Sequence, residues 1–196
     1  MFELIEAVDL ALMHSLRAWH APWLDTLMAF ISASGGAGLI WLTLAVVALF
    51  SPRDRAAAWR VLLTVALCYV MVDAVLKPLI GRARPELTVT VQATAPPRSL
   101  PPQPESHAFP SGHSTSTFGA AVAVSRMWPS GRVIWWTFAV LVGYSRIYLG
   151  HHYPFDVLAG ALLGIALAFW VLGGRHRATY ASTLPHLLPP GTIVRP

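Results

Sequence analysis

Near the amino terminus, Ile5, Val8, Leu12, Leu16 and Trp19 recur at helical spacing, while Glu3, Glu6, Asp9 and Arg17 fall elsewhere around the same helix. That pattern predicts an amphipathic helix lying in a membrane interface before residue 22, rather than a span. The pattern then changes, because residues 26–52 carry no charge at all, and Ser34-Gly35-Gly36 marks a bend or break before the run GLIWLTLAVVALF. A bilayer core about 30 Å thick takes roughly 20 helical residues. By that measure five spans are expected, near residues 37–50, 57–80, 112–128, 132–149 and 155–173. The second is charged only at its start and at Asp73 and Lys77; the third is rich in Ser, Thr, Gly and Ala, the composition of a helix packed closely by its neighbours. The expected fold class is an all-α integral membrane protein, a bundle of five transmembrane helices (six if the amino-terminal helix crosses). Residues 1–175 would form one membrane-embedded domain, followed by a tail over 176–196.

Composition agrees with this picture. Of 196 residues, 55% are apolar and only 12% charged, against roughly 45–50% and about 25% in soluble domains. A disordered chain is excluded and a water-soluble globule fits poorly. The single cysteine, Cys68, excludes an internal disulfide and a thiolate metal cluster. Glu3, Glu6 and Asp9 stand where a cleavable signal would carry positive charge, so the spans are expected to act as their own insertion signals.

Charge sharpens the topology. There are 14 basic residues, all arginine except Lys77, against 9 acidic ones. Arg53, Arg55, Arg60, Arg126, Arg132, Arg175, Arg177 and Arg195 fall in the loops of one side and in the tail, which marks that side as cytoplasmic and places the amino terminus outside. Lys77, Arg82, Arg84, Arg98 and Arg146 remain on the outward side, where the topology rule does not explain them. The loop 86–106, with five prolines and no helical period, lies on that same side as a lid, a binding segment or a disordered stretch.

Three clusters fall at the outward ends of the spans: Lys77 through Arg84-Pro85, Pro110-Ser111-Gly112-His113, and Ser145-Arg146 through His152 to Asp156. Charged residues at a membrane face are costly and point to function. Lys77, Arg84 and Arg146 supply fixed positive charge, and guanidinium forks match phosphate oxygens. Ser111 and Gly112 open a helix whose free N–H groups and dipole add to an anion site. Asp156 lies four residues after His152 and can reach back to its imidazole, fixing the tautomer and leaving the other nitrogen free to attack. His113, from another helix, can protonate a leaving oxygen. Other features read as structural. His14, His20, His107, His151, His176 and His186 suit interfacial anchors, Asp73 suits an i,i+4 ion pair with Lys77, and Arg82 suits either the site or lipid headgroups. A metal held by His151, His152 and Asp156 is disfavoured by the surrounding cations and the want of a second carboxylate cluster. Gly160 and Gly164 form a small-xxx-small pair that suits packing within the bundle better than a dimer face.

In order and internal spacing, these three motifs over residues 77–156 resemble the signature of the type-2 phosphatidic acid phosphatase superfamily, membrane lipid phosphatases that share a phosphate site with vanadium haloperoxidases and glucose-6-phosphatase. The resemblance implies a phosphohistidine on His152, oriented by Asp156, with His113 as the acid that later activates water. Lys77, Arg84, Arg146 and the backbone at Ser111 and Gly112 would hold the phosphoryl oxygens, without metal or other cofactor. It also implies a lipid phosphate as substrate and the bilayer as partner, and no nucleic acid. Short bacterial members suggest undecaprenyl pyrophosphate at the outer face of the plasma membrane. Phosphatidylglycerophosphate, phosphatidate and lipid A phosphates stand as alternatives, as does phosphoryl transfer to a second lipid. Whether the chain forms a homodimer is left open.

Overall fold

The computed structural model describes residues 2–18, 21–85 and 105–173, and every regular element among them is helical. Helices α1 (Phe2–Leu16), α2 (Pro22–Gly35) and α3 (Leu39–Leu49) precede a long rod made of α4 (Arg55–Tyr69), a π-helical stretch (Val70–Leu76) and α5 (Lys77–Ile80). Helices α6 (Gly112–Met127), α7 (Arg132–Tyr148) and α8 (Pro154–Leu172) complete the bundle. The tail 176–196 and the loop from 86 to 104 lie outside the described residues.

The interior holds a buried polar stripe beside its apolar core, while large apolar side chains face outward. Ser111, Ser114, Thr115 and Thr117 are fully buried, while Trp23, Phe30, Phe50, Leu79 and Trp170 stand exposed. Two helices are long and apolar enough to cross a bilayer alone, the 26-residue rod Arg55–Ile80 and the 19-residue α8. The break at Gly35–Gly38 is present, but the first span differs from expectation. Helix α3 has only 11 residues, about 16 Å of helix, and reaches spanning length only together with α2, from which it is bent by 46°. Helices α6 and α7 fill the expected third and fourth spans with 16 and 17 residues. At about 24–26 Å they fall short of a full hydrocarbon core.

Helix α6 sits at the centre, between α4, α7 and α8. Its close approach to α8 depends on absent side chains: a Cβ added at Gly164 would stand 2.0 Å from the Thr115 carbonyl oxygen, and one at Gly160 2.6 Å from that of Ser111. The small-residue stripe of α8 therefore packs inside the bundle. Away from the site, Trp41, Val61, Val65, Ala120, Val124 and Ala139 form the main apolar core.

Helix α1 keeps its apolar stripe outward, but part of its polar face turns into the bundle rather than to water. Asp9, Met13 and Arg17 face the bundle and are buried, whereas Val8, Leu12 and Leu16 are exposed. The physical reason is pairing, since Arg17 Nε donates to the Tyr148 carbonyl at 3.0 Å and Asp9 meets α8 and Arg82. A buried charge with partners lets the apolar stripe face outward.

Candidate active site

The ends of α5 and α7 and the starts of α6 and α8 meet at one end of the bundle. The other end is marked by Trp128, whose indole N–H donates to Asp54 at 3.4 Å. The arginines of residues 53–60 and 126–132 thus lie opposite Lys77, Arg84 and Arg146.

Local backbone chemistry aims each group. In the π-helical stretch the rod is locally widened, a feature common at functional sites. Lys77 follows it, buried, with its ammonium 2.5 Å from Asp73 Oδ1. The expected i,i+4 pair is present. Gly81, at φ +66°, ends α5 in a left-handed conformation that other residues resist. The chain then turns to present Arg82 and Arg84. Arg84 is locked by four acceptor contacts, donating to the Ser106 carbonyl (2.6 Å), the His151 carbonyl (2.6 Å), Ser106 Oγ (3.1 Å) and the His107 carbonyl (3.5 Å). Arg146, near the end of α7, is almost wholly buried. It donates a short hydrogen bond to Ser32 Oγ of α2.

These groups surround a cavity of about 190 Å³, with Lys77, Arg84, Gly112, His113, Arg146 and His152 in its lining. Val65 and Tyr69 form its apolar side. Two expected residues stand behind the wall. Ser111 is fully buried, its hydroxyl accepts from Ser114 N–H and Oγ–H as the cap of α6, and its own N–H donates to the Asp156 carbonyl at 3.0 Å, so Gly112 rather than Ser111 faces the cavity. Asp156, also fully buried, accepts from Tyr153 N–H at 2.9 Å and lies 3.6 Å from His152 Nδ1, in ion-pair range but beyond a hydrogen bond.

His152 Nε2 faces Arg84 at 3.3 Å. Burial, and then the Arg146, Arg84 and Lys77 cations, hold this imidazole well below its usual range. It is therefore neutral near pH 7, the form a nitrogen nucleophile requires. Among the described residues no three His, Cys, Asp or Glu side chains converge as a metal site.

Several participants have no signature in the sequence. Arg82, expected either in the site or at lipid headgroups, instead bridges two buried carboxylates, Asp156 at 2.5 Å and Asp9 at 2.7 Å. Its guanidinium lies over the Tyr153 ring, 4.2 Å from the centroid. His151 is buried rather than an interfacial anchor, because the α7–α8 turn folds beneath Arg84. His20, His176 and His186 lie outside the described residues. Gly36, at the α2–α3 break, abuts the site: a Cβ there would stand 3.4 Å from His113 Nε2.

Known proteins resemble this chain in sequence and fold. The chain resembles a lipid A 4'-phosphatase of Bacteroides thetaiotaomicron, with 30% identity over 84% of this chain and 75% of that protein. An undecaprenyl-diphosphatase of Sulfolobus acidocaldarius is 32% identical over 74% of this chain and 68% of its own length. The crystal structure of a transmembrane PAP2-type phosphatidylglycerolphosphate phosphatase from Bacillus subtilis superposes with a TM-score of 0.70 at 26% identity, covering 94% of this chain and 90% of that one. The PAP2 superfamily pattern matches residues 57–180, which contain all three motifs and more than half of the sequence, and the chain belongs to the PAP2 superfamily.

Proposed function

We propose that this membrane protein is a metal-independent lipid phosphatase that works through a phosphohistidine, with undecaprenyl pyrophosphate as substrate. The observation that carries the reading is the convergence of a neutral imidazole and three cations on one small cavity. His152 Nε2 attacks the terminal phosphorus, and the bond from phosphorus to the bridging oxygen breaks as the new P–N bond forms. His113 gives a proton to the departing lipid phosphate, then takes one from a water that attacks the phosphohistidine. Inorganic phosphate leaves and His152 is restored. Lys77, Arg84, Arg146 and the opening of α6 at Gly112 hold the phosphoryl oxygens as charge redistributes. Asp156 orients the imidazole.

A diphosphate suits three cations because its leaving group is itself an anion that a neighbouring cation stabilises. The undecaprenyl-diphosphatase among the relatives supports this choice. The lipid A relative names the main competitor. In this reading residues 1–175 act as one membrane domain, and the arginine distribution supports a site on the outer side of a bacterial plasma membrane with the tail 176–196 in the cytoplasm.

Purified protein offered undecaprenyl pyrophosphate, phosphatidylglycerophosphate, phosphatidate and lipid A phosphates side by side should release phosphate fastest from the first, in the presence of EDTA. Preference for another member reassigns the substrate. Chelator sensitivity restored by magnesium overturns the metal-free mechanism, and phosphate appearing on an added acceptor lipid makes the enzyme a transferase.

A further inference from the structure

Behind His152 runs a chain of charges that no motif records. Asp156 carries no free oxygen, since Oδ1 accepts from Arg82 at 2.5 Å and Oδ2 from Tyr153 N–H at 2.9 Å. The other arm of the Arg82 fork donates to Asp9 Oδ2 at 2.7 Å. Asp9 in turn accepts from Phe155 N–H at 2.9 Å through Oδ1, in the first turn of α8. That is the same turn that bears Asp156. Both carboxylates are fully buried, so one guanidinium serves two charges that would otherwise repel in a poorly solvated site.

The geometry also restrains Arg82 itself. It stands two residues before Arg84, on the segment that supplies the cavity with a cation. A fork held at one end only could swing toward the phosphate; held at both ends, it stays behind His152. We propose that Asp9, on the amino-terminal helix and outside the family-matched segment, is a positioning residue for catalysis. Through Arg82 it fixes Asp156 against the imidazole, and through Phe155 N–H it fixes the turn that carries Asp156. This inference rests on the reading of His152 as nucleophile.

The test is a double-mutant cycle on the purified full chain with farnesyl pyrophosphate as probe. Asp9→Asn keeps the shape and the acceptor for Phe155 N–H but removes the charge that holds Arg82. It should lower kcat about tenfold, the cost of a small misplacement at a reacting group, with KM changed less than twofold. On an Asp156→Asn background the same substitution should cost less than a further twofold, because the group it positions is already gone. Equal losses on both backgrounds, a loss confined to KM, or no loss overturns the proposal. Should Asp9→Asn aggregate, Arg82→Lys, which keeps one charge but reaches one carboxylate, must show the same kcat loss and the same non-additivity. A second readout separates the two claims. The ¹⁵N resonance of His152 Nδ1, assigned by its disappearance in His152→Ala, should shift in Asp9→Asn whether or not any lipid turns over. An unmoved resonance sinks the role of Asp9, whereas a wild-type protein that hydrolyses no lipid phosphate sinks only the proposed function.

Discussion

Helices from Arg55 onward and the three helices before them both shape the candidate site, but by different means. The later helices bring Lys77, Arg84, His113, Arg146 and His152 to the cavity surface. The earlier ones contribute partners: Ser32 accepts from Arg146, Gly36 leaves room beside His113, and Asp9 holds Arg82. Asp25, which accepts from the Tyr148 hydroxyl at 2.5 Å, anchors α2 to α7 in the same way. The difference teaches that the chemistry is held in a few contiguous motifs, while the precision of its placement depends on residues far away in sequence.

The largest expected effect lies on the chemical side of that division. His152→Ala should lower phosphate release by about three orders of magnitude or more, with the protein still extractable and monodisperse in detergent. Near-normal release from this variant would show that the later helices do not hold the nucleophile, and the contrast between the regions would fail. Vanadate, whose trigonal-bipyramidal form resembles the phosphoryl transition state with the His152 nitrogen as apical ligand, should inhibit the wild type, whereas the variant should retain only the binding of tetrahedral phosphate through Lys77, Arg84 and Arg146.

Next in size is a change that tests packing rather than chemistry within the later helices. Gly164→Ala puts a methyl group where 2.0 Å separates its Cβ from the Thr115 carbonyl oxygen. Both groups in that clash belong to backbone or lie on it, so α6 and α8 must move apart. Overpacking of this kind costs about 1–3 kcal/mol. A lowered thermal midpoint in detergent is expected, with activity falling as α6 carries His113 out of register. An unchanged midpoint would mean that α6 and α8 do not pack as closely as described.

How much of this was legible from the sequence follows the same division. The helical character, the break before residue 37, the internal pairing of Gly160 with α6 and the gathering of three motifs at one end all follow from local pattern and spacing. Each signal spans a few residues or one helical repeat. The pairing of Asp73 with Lys77 was legible because it is a single turn long. Arg82 was not, since its partners lie 73 and 74 residues away, and no periodicity relates them. For α1 the amphipathic pattern does not tell that the charged face is buried, since Asp9 and Arg17 find partners within the bundle that are far away in sequence. Ser111 shows a subtler limit, because the motif locates the residue without telling that its hydroxyl caps α6 and its N–H holds the Asp156 carbonyl behind the cavity wall.

The smallest effect is expected from Ser32, and it is the one that most finely divides the two regions. Its hydroxyl accepts from one arm of Arg146, whose Nε is buried without a hydrogen-bond partner among the described residues. Removing the hydroxyl leaves the guanidinium with less to hold its plane toward the cavity. A single hydrogen bond is worth about 0.5–1.5 kcal/mol net, so Ser32→Ala should weaken inhibition by vanadate roughly two- to tenfold. Ser32→Thr, which keeps the acceptor, should restore most of that affinity. Because vanadate reads the cradle and not the leaving group, the loss should appear in its inhibition constant even where kcat is little changed. An inhibition constant equal to that of the wild type would confine α2 to packing, and Arg146 would then be held by α7 alone.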